Sequence, residues 1–92
     1  MKKAKVLIGR YGRQLFVEEA NILIQPRSGD EVYAYAPFDF DNLKNSYPAQ
    51  WDKLVLGEVD DVPDELVEKA LAFVKARAEF NSLFKTCREL TD

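Results

Sequence analysis

The chain predicts an α+β domain: an antiparallel sheet of four to five strands with one long C-terminal helix packed on one face. Three observations carry this. Residues 3–36 contain short runs that alternate apolar and polar side chains, separated by turn formers around Gly12 and Gly29. Residues 62–90 contain no glycine, their single proline lies at the start, and the rest is rich in alanine, leucine, lysine and glutamate. Ninety-two residues make one domain, divided here into a sheet region (1–59) with a lid-like loop (37–50), and the helix (62–90).

The first strand is expected over Lys3 to Gly9, with Ala4, Val6 and Ile8 on one face. Arg10-Tyr11-Gly12-Arg13 is a turn, because Gly12 accepts positive φ, and Gln14 to Glu18 returns from it as a hairpin. A third strand follows over Ala20 to Gln25. Pro26-Arg-Ser-Gly-Asp30 turns the chain into a fourth strand, Glu31 to Ala36. In that strand Val32, Ala34 and Ala36 alternate with Tyr33 and Tyr35. Small residues suit the face on which a helix lies close. The tyrosines then share the opposite face with Leu7, Phe16 and Leu23, which is more apolar than a solvent face should be. Either that face is an exposed aromatic patch for binding or dimerisation, or the segment after Pro37 folds over it, or the tyrosines are core and the alanines point outward.

Pro37 to Pro48 holds Phe38, Phe40, Leu43 and Tyr47, too many apolar groups for a free loop, so it is expected to pack down as a lid. Asp39 or Asp41 caps a short helical turn within it. Lys53 to Val59 reads as a fifth strand kinked at Gly57, with a helix over Pro48 to Leu54 as an alternative for the preceding segment. The long helix is expected to start at Asp61 as N-cap, with Pro63 in its first turn and Asp64 and Glu65 at the positive end of its dipole.

From Pro63 to Leu90 an unbroken helix would run to ~42 Å, against a diameter of roughly 30 Å for a compact chain of this length. Its apolar stripe also turns. Leu66, Val67, Ala70, Leu71 and Val74 share one face; Phe80, Leu83, Phe84, Cys87 and Leu90 centre on another, roughly 120° away. Three outcomes are open. The helix continues and its second half meets another surface; it breaks near Asn81-Ser82 and folds back; or its second half covers a curled edge of its own sheet.

The net charge of -3 is unevenly spread: residues 1–27 carry +4, residues 28–68 carry -9 and residues 69–92 carry +2. The chain has no histidine, which excludes Cys–His and Ser–His–Asp catalysis and removes the commonest metal ligand. Its single cysteine, Cys87, cannot form an internal disulfide and reads as a buried small hydrophobe. Asp39-Phe-Asp41-Asn42 has the opening spacing of a calcium loop without the glycine or terminal glutamate that such a loop requires. No catalytic group, metal site or cofactor is expected. The apolar run after Met1 is too short for a signal peptide and no stretch is long enough to span a membrane, so a cytoplasmic setting without membrane contact is expected.

These features point to a small non-enzymatic protein-binding module. Tyr33, Tyr35, Asp39 and Asp41 form the candidate partner surface, acidic and aromatic, suited to a basic protein through steering and aromatic anchors. One form of this reading is a phage-type stoichiometric inhibitor of a nucleic-acid-handling protein. Phe80, Leu83, Phe84, Cys87 and Leu90 are the candidate homodimer interface. Two alternatives stand beside it: a nucleic-acid binder using Lys3, Lys5, Arg10, Tyr11 and Arg13 of the first hairpin, and a homodimeric structural subunit of a larger assembly.

Overall fold

The computed structural model describes residues 1–46 and 54–91, with side chains described through Cys87. Five strands, β1 (Lys2–Leu7), β2 (Gln14–Val17), β3 (Ile22–Pro26), β4 (Val32–Tyr35) and β5 (Val55–Val62), form one antiparallel sheet in the order β4-β3-β2-β1-β5. A 3-10 turn, Glu18–Ala20, leads through Asn21, held at φ 49°, into β3. Helix α1 (Phe40–Ser46) follows β4, and helix α2 (Asp64–Thr91) closes the chain. The fold is α+β, with a five-stranded antiparallel sheet and one long C-terminal helix.

Side-chain alternation along the strands produces two cores. On the helix face Ala4, Val17, Ile22, Ile24, Ala34 and Val62 pack with Val67 and Ala70 of α2. Ala34 is the small residue that lets α2 approach β4. On the opposite face Leu7, Phe16 and Leu23 are buried beneath Tyr35, Phe38, Phe40, Leu43 and Val55. The segment after Pro37 therefore does fold over the second face, and the Asp39 side chain caps α1: the Asn42 N–H donates to Asp39 Oδ1 at 2.8 Å. Tyr47, Pro48, the possible helix from Pro48 and the expected strand start at Lys53 lie outside the described residues.

Three expectations are corrected. Ile8 does not join Ala4 and Val6 in a core: it lies beyond β1 and is 55% exposed. Asp60 and Asp61 do not begin the helix. β5 continues through them to Val62 and α2 starts at Asp64, with Pro63 as the acceptor of the first helical N–H groups. The continuation is possible because the β1–β5 register shifts twice, once on each side of the Ala4 to Val6 pairings, and the extra residues are taken up on β5. Cys87 is exposed, not buried. The reason is that α2 continues through Asn81-Ser82: of the three outcomes left open, the break is excluded.

The result is an elongated molecule, 49 × 31 × 27 Å, with a radius of gyration of 15.5 Å. A compact chain of this length would have one near 12 Å. Val67, Ala70, Val74 and Arg77 of α2 are buried or half-buried against the sheet, whereas every described residue from Ala78 to Cys87 is exposed. Among the described residues no helix is long and apolar enough to cross a membrane.

Candidate functional site: an acidic recess over a phenylalanine floor

The register of the sheet sets one row of side chains across its second face. Tyr35 pairs with Leu23, Phe16 with both Leu23 and Lys5, and Lys5 with Glu58. The row is thus aromatic and apolar at the β4 end and charged at the β5 end. Phe16, buried, stacks flat on Phe40 with centroids 4.6 Å apart and meets Phe38 at 5.6 Å. This triad is the floor of a recess of about 440 Å³, whose rim is supplied by Glu18, Asn21, Pro37, Asp39 and Asp41.

Three carboxylates therefore surround an aromatic floor. Glu18 comes from the 3-10 turn after β2, and Asp39 and Asp41 from the start of α1. Asp39 is partly committed to its cap, while Asp41 and Glu18 are exposed. The chain's own Lys5 shows what the arrangement attracts. Its ammonium lies 5.6 Å from the centroid of Phe40, 3.5 Å from Glu18 Oε2 and 3.3 Å from Glu58 Oε1. A cation over an aromatic face, flanked by carboxylates, gains from both the ring quadrupole and the charges. The recess is chemically suited to an ammonium or guanidinium group.

Comparison with known proteins finds no match: no family model, no curated protein and no solved structure. The functional reading therefore rests on the geometry of the molecule itself.

The four residues expected to form one partner surface are placed in two groups. Asp39 and Asp41 line the recess. Tyr33 belongs to a cationic cluster at the edge of β4, and Tyr35, which also packs over the second core, joins it. Tyr33 meets Tyr35 at 5.0 Å and the edge of Phe73 of α2 at 5.1 Å. The Arg27 guanidinium lies 4.2 Å from the Tyr33 centroid and the Arg77 guanidinium 4.7 Å. Arg27 Nη2 also donates to the Tyr35 hydroxyl. The surroundings of the tyrosines are basic, and they bind α2 to the sheet edge. Glu18, Glu58 and the two arginines were not singled out in the sequence: Glu58 and Arg77 act on segments distant along the chain, whereas Glu18 and Arg27 act within the hairpins that carry Lys5 and Tyr35, where only the register decides which side chains meet.

The basic hairpin is also divided. Lys5 is held by two carboxylates and faces the recess. Lys3, Arg10 and Arg13 are exposed, and Arg10 stacks on its neighbour Tyr11 at 5.4 Å. Gly9 and Gly12 serve the turn itself: a Cβ at Gly9 would fall 2.5 Å from the Gly12 oxygen, and Gly12 has φ 138°. Of the residues expected at a dimer interface, Phe80, Leu83 and Phe84 are 70%, 68% and 63% exposed. The side chain of Leu90 lies outside the described residues.

Proposed function

We propose that this protein is a non-enzymatic binding module that receives a lysine or arginine side chain of a partner protein in the recess formed by Glu18, Asp39 and Asp41 over Phe16, Phe38 and Phe40. The observation that carries this reading is the recess itself, in which carboxylates rim an aromatic floor and a lysine of the chain already sits at the margin. Glu58, which pairs with the same lysine, extends the acidic rim onto β5. Exposed Asp60 and Asp61 continue it along the strand. Such a surface accelerates encounter with a basic partner by long-range steering and anchors it with one desolvated cation. A protein whose basic groove handles nucleic acid fits this chemistry, and the module would act on it by occupying the groove stoichiometrically.

The test is capture from the native host lysate with the wild-type chain and with a Glu18→Lys/Asp41→Lys variant in parallel. The expected result is a protein retained at low salt by the wild type, released by raised salt and absent from the variant. That protein should then lose nucleic-acid binding at a one-to-one ratio. Identical sets of retained proteins on both baits would overturn the proposal.

A further inference from the structure

The recess leaves the exposed apolar residues Phe80, Leu83 and Phe84 of α2 without a role. From Phe73 onward α2 carries apolar or small residues at Phe73, Ala76, Phe80, Leu83 and Cys87, spacings of three and four in strict alternation. This is the a/d pattern of a two-helix seam. Asn81, Ser82 and Lys85 fall on the opposite side, and Phe84 flanks the seam. Beyond Arg77 no part of the sheet covers this stripe, as the exposure of Phe80, Leu83 and Phe84 shows.

We infer that the overhanging half of α2 is the docking site for a second copy of this chain, with the two overhangs packed side by side and antiparallel. Three features select a second copy as the occupant. The first is area. Phe80, Leu83 and Phe84 expose on the order of 400 Å² of side chain in each copy. With Cys87 and the stems of flanking residues, two such faces reach the lower end of the ~1,200–2,000 Å² that a specific interface buries. The second is charge. Ala78 to Cys87 holds one acid, Glu79, and one base, Lys85. Two copies do not repel, and nothing in this half selects a partner of opposite charge, in contrast to the recess. The third is length. The sheet flanks α2 as far as Arg77, so the exposed stretch from Ala78 to Cys87, about 15 Å of helix, projects from each copy.

The last feature also sets the direction. In an antiparallel pair the two sheets lie at opposite ends and each overhang lies along the other for its full length. A parallel pair brings both sheets to the same end. The antiparallel arrangement also opposes the two helix dipoles favourably. In such a seam each a position faces a d position of the partner, so that Leu83 of one copy lies across from Cys87 of the other. The two native Cys87 residues are then displaced by about four residues, ~6 Å along the axis, in addition to the ~8–10 Å between helix axes. That exceeds disulfide reach. A parallel seam would place them face to face.

The experiment is light scattering and sedimentation equilibrium on the full chain from 5 to 200 µM, chosen as roughly the range in which a small seam self-associates. The expected mass is twice the 10.6 kDa of the chain. Phe80→Glu/Phe84→Glu should weaken the dimer at least ~100-fold while leaving the circular dichroism of the sheet and helix intact. A monomer throughout the range, or a dimer unaffected by the double substitution, would overturn the inference. Direction is read by mild oxidation. Leu83→Cys should form a covalent dimer with Cys87 of the second copy, and the native chain should not. Rapid linkage of the native chain through Cys87 would exclude the antiparallel seam. These outcomes are independent of the recess, because none of its residues lies on α2.

Discussion

Arg77 reaches from α2 around the edge of the sheet and donates from Nη1 to the main-chain oxygen of Ala34 at 2.9 Å. Ala34 belongs to β4, which has a neighbouring strand on one side only. An edge strand with unpaired carbonyls is a template for further strand addition. One side chain thus does two things: it fixes the helix to the sheet and occupies an edge acceptor. Its guanidinium also lies 4.7 Å from the centroid of Tyr33, 5.3 Å from that of Tyr35 and 5.6 Å from that of Phe73.

Arg77→Ala removes a charge-assisted hydrogen bond and the stacking together. A loss of ~1–2 kcal/mol is expected, which for a domain of this size lowers Tm by roughly 5–15 °C. Arg77→Lys keeps the charge but not the planar stacking surface, and should fall between the two. Thermal unfolding followed by circular dichroism measures both. A Tm unchanged in Arg77→Ala would show that the edge cluster adds nothing to the attachment of α2.

The second core depends on Phe16, which is buried between the sheet and α1 and stacks on Phe40. Phe16→Ala should cost ~3–5 kcal/mol, a large share of the stability of a small domain. Phe40 is half-buried, and Phe40→Ala should cost less, ~1–2 kcal/mol, but should free α1 from the sheet. Urea denaturation gives the two energies, and amide exchange at Asn42 and Leu43 reports the release of α1. If both substitutions cost the same and exchange in α1 is unchanged, the segment is held by something other than this stack.

Local pattern made the fold legible. The alternation of Val32 to Ala36 left two assignments of its faces open, and the structure selects the one with Ala34 and Ala36 on the helix side and Tyr35 over Leu7, Phe16 and Leu23. The length of α2 against a compact radius raised an overhang as one of three outcomes, and the 49 Å long axis of the molecule selects it. The composition of the recess was not legible, because it depends on contacts between distant segments. Its acidic rim joins Glu18 to Asp39 and Asp41 only because the segment after Pro37 folds over Phe16, and Glu58 reaches Lys5 at its margin only because β1 lies between β2 and β5. The association of Tyr33 with Arg77 likewise requires α2 to pass the β4 edge at a particular height. The Asp60-Asp61-Val62-Pro63 run carried true capping chemistry, and a shifted strand register overrode it.

The two halves of α2 should respond differently to substitution. Val67 and Ala70 are buried against the sheet, whereas Ala78 and Leu83 are exposed. Val67→Ala should cost ~2 kcal/mol, and Ala70→Leu ~1–3 kcal/mol through overpacking. Ala78→Leu should change the stability of the single chain by less than ~0.5 kcal/mol. Chemical denaturation at concentrations low enough to keep the chain monomeric measures all three. A cost for Ala78→Leu equal to that of Ala70→Leu would mean that the sheet reaches further along α2 than Arg77.

Lys5 provides a direct probe of the recess. Its ion pairs to Glu18 and Glu58 join carboxylates that are themselves largely exposed, so they add little to stability. Its ammonium nevertheless holds one positive charge beside the site proposed for a partner's cation, over the same Phe40 ring. Lys5→Met keeps an unbranched apolar stem against the ring and removes that charge. Stability should change by less than ~0.5 kcal/mol. Affinity for a lysine- or arginine-rich peptide should rise a few-fold, since a like charge ~6 Å away in a solvated setting opposes binding by about 1 kcal/mol. Isothermal titration of such a peptide against wild type, Lys5→Met and Glu18→Gln/Asp41→Asn should rank Lys5→Met tightest and the double variant weakest, with differences that shrink as salt is raised. An unchanged or weaker affinity in Lys5→Met would mean that basic ligands bind elsewhere on the molecule.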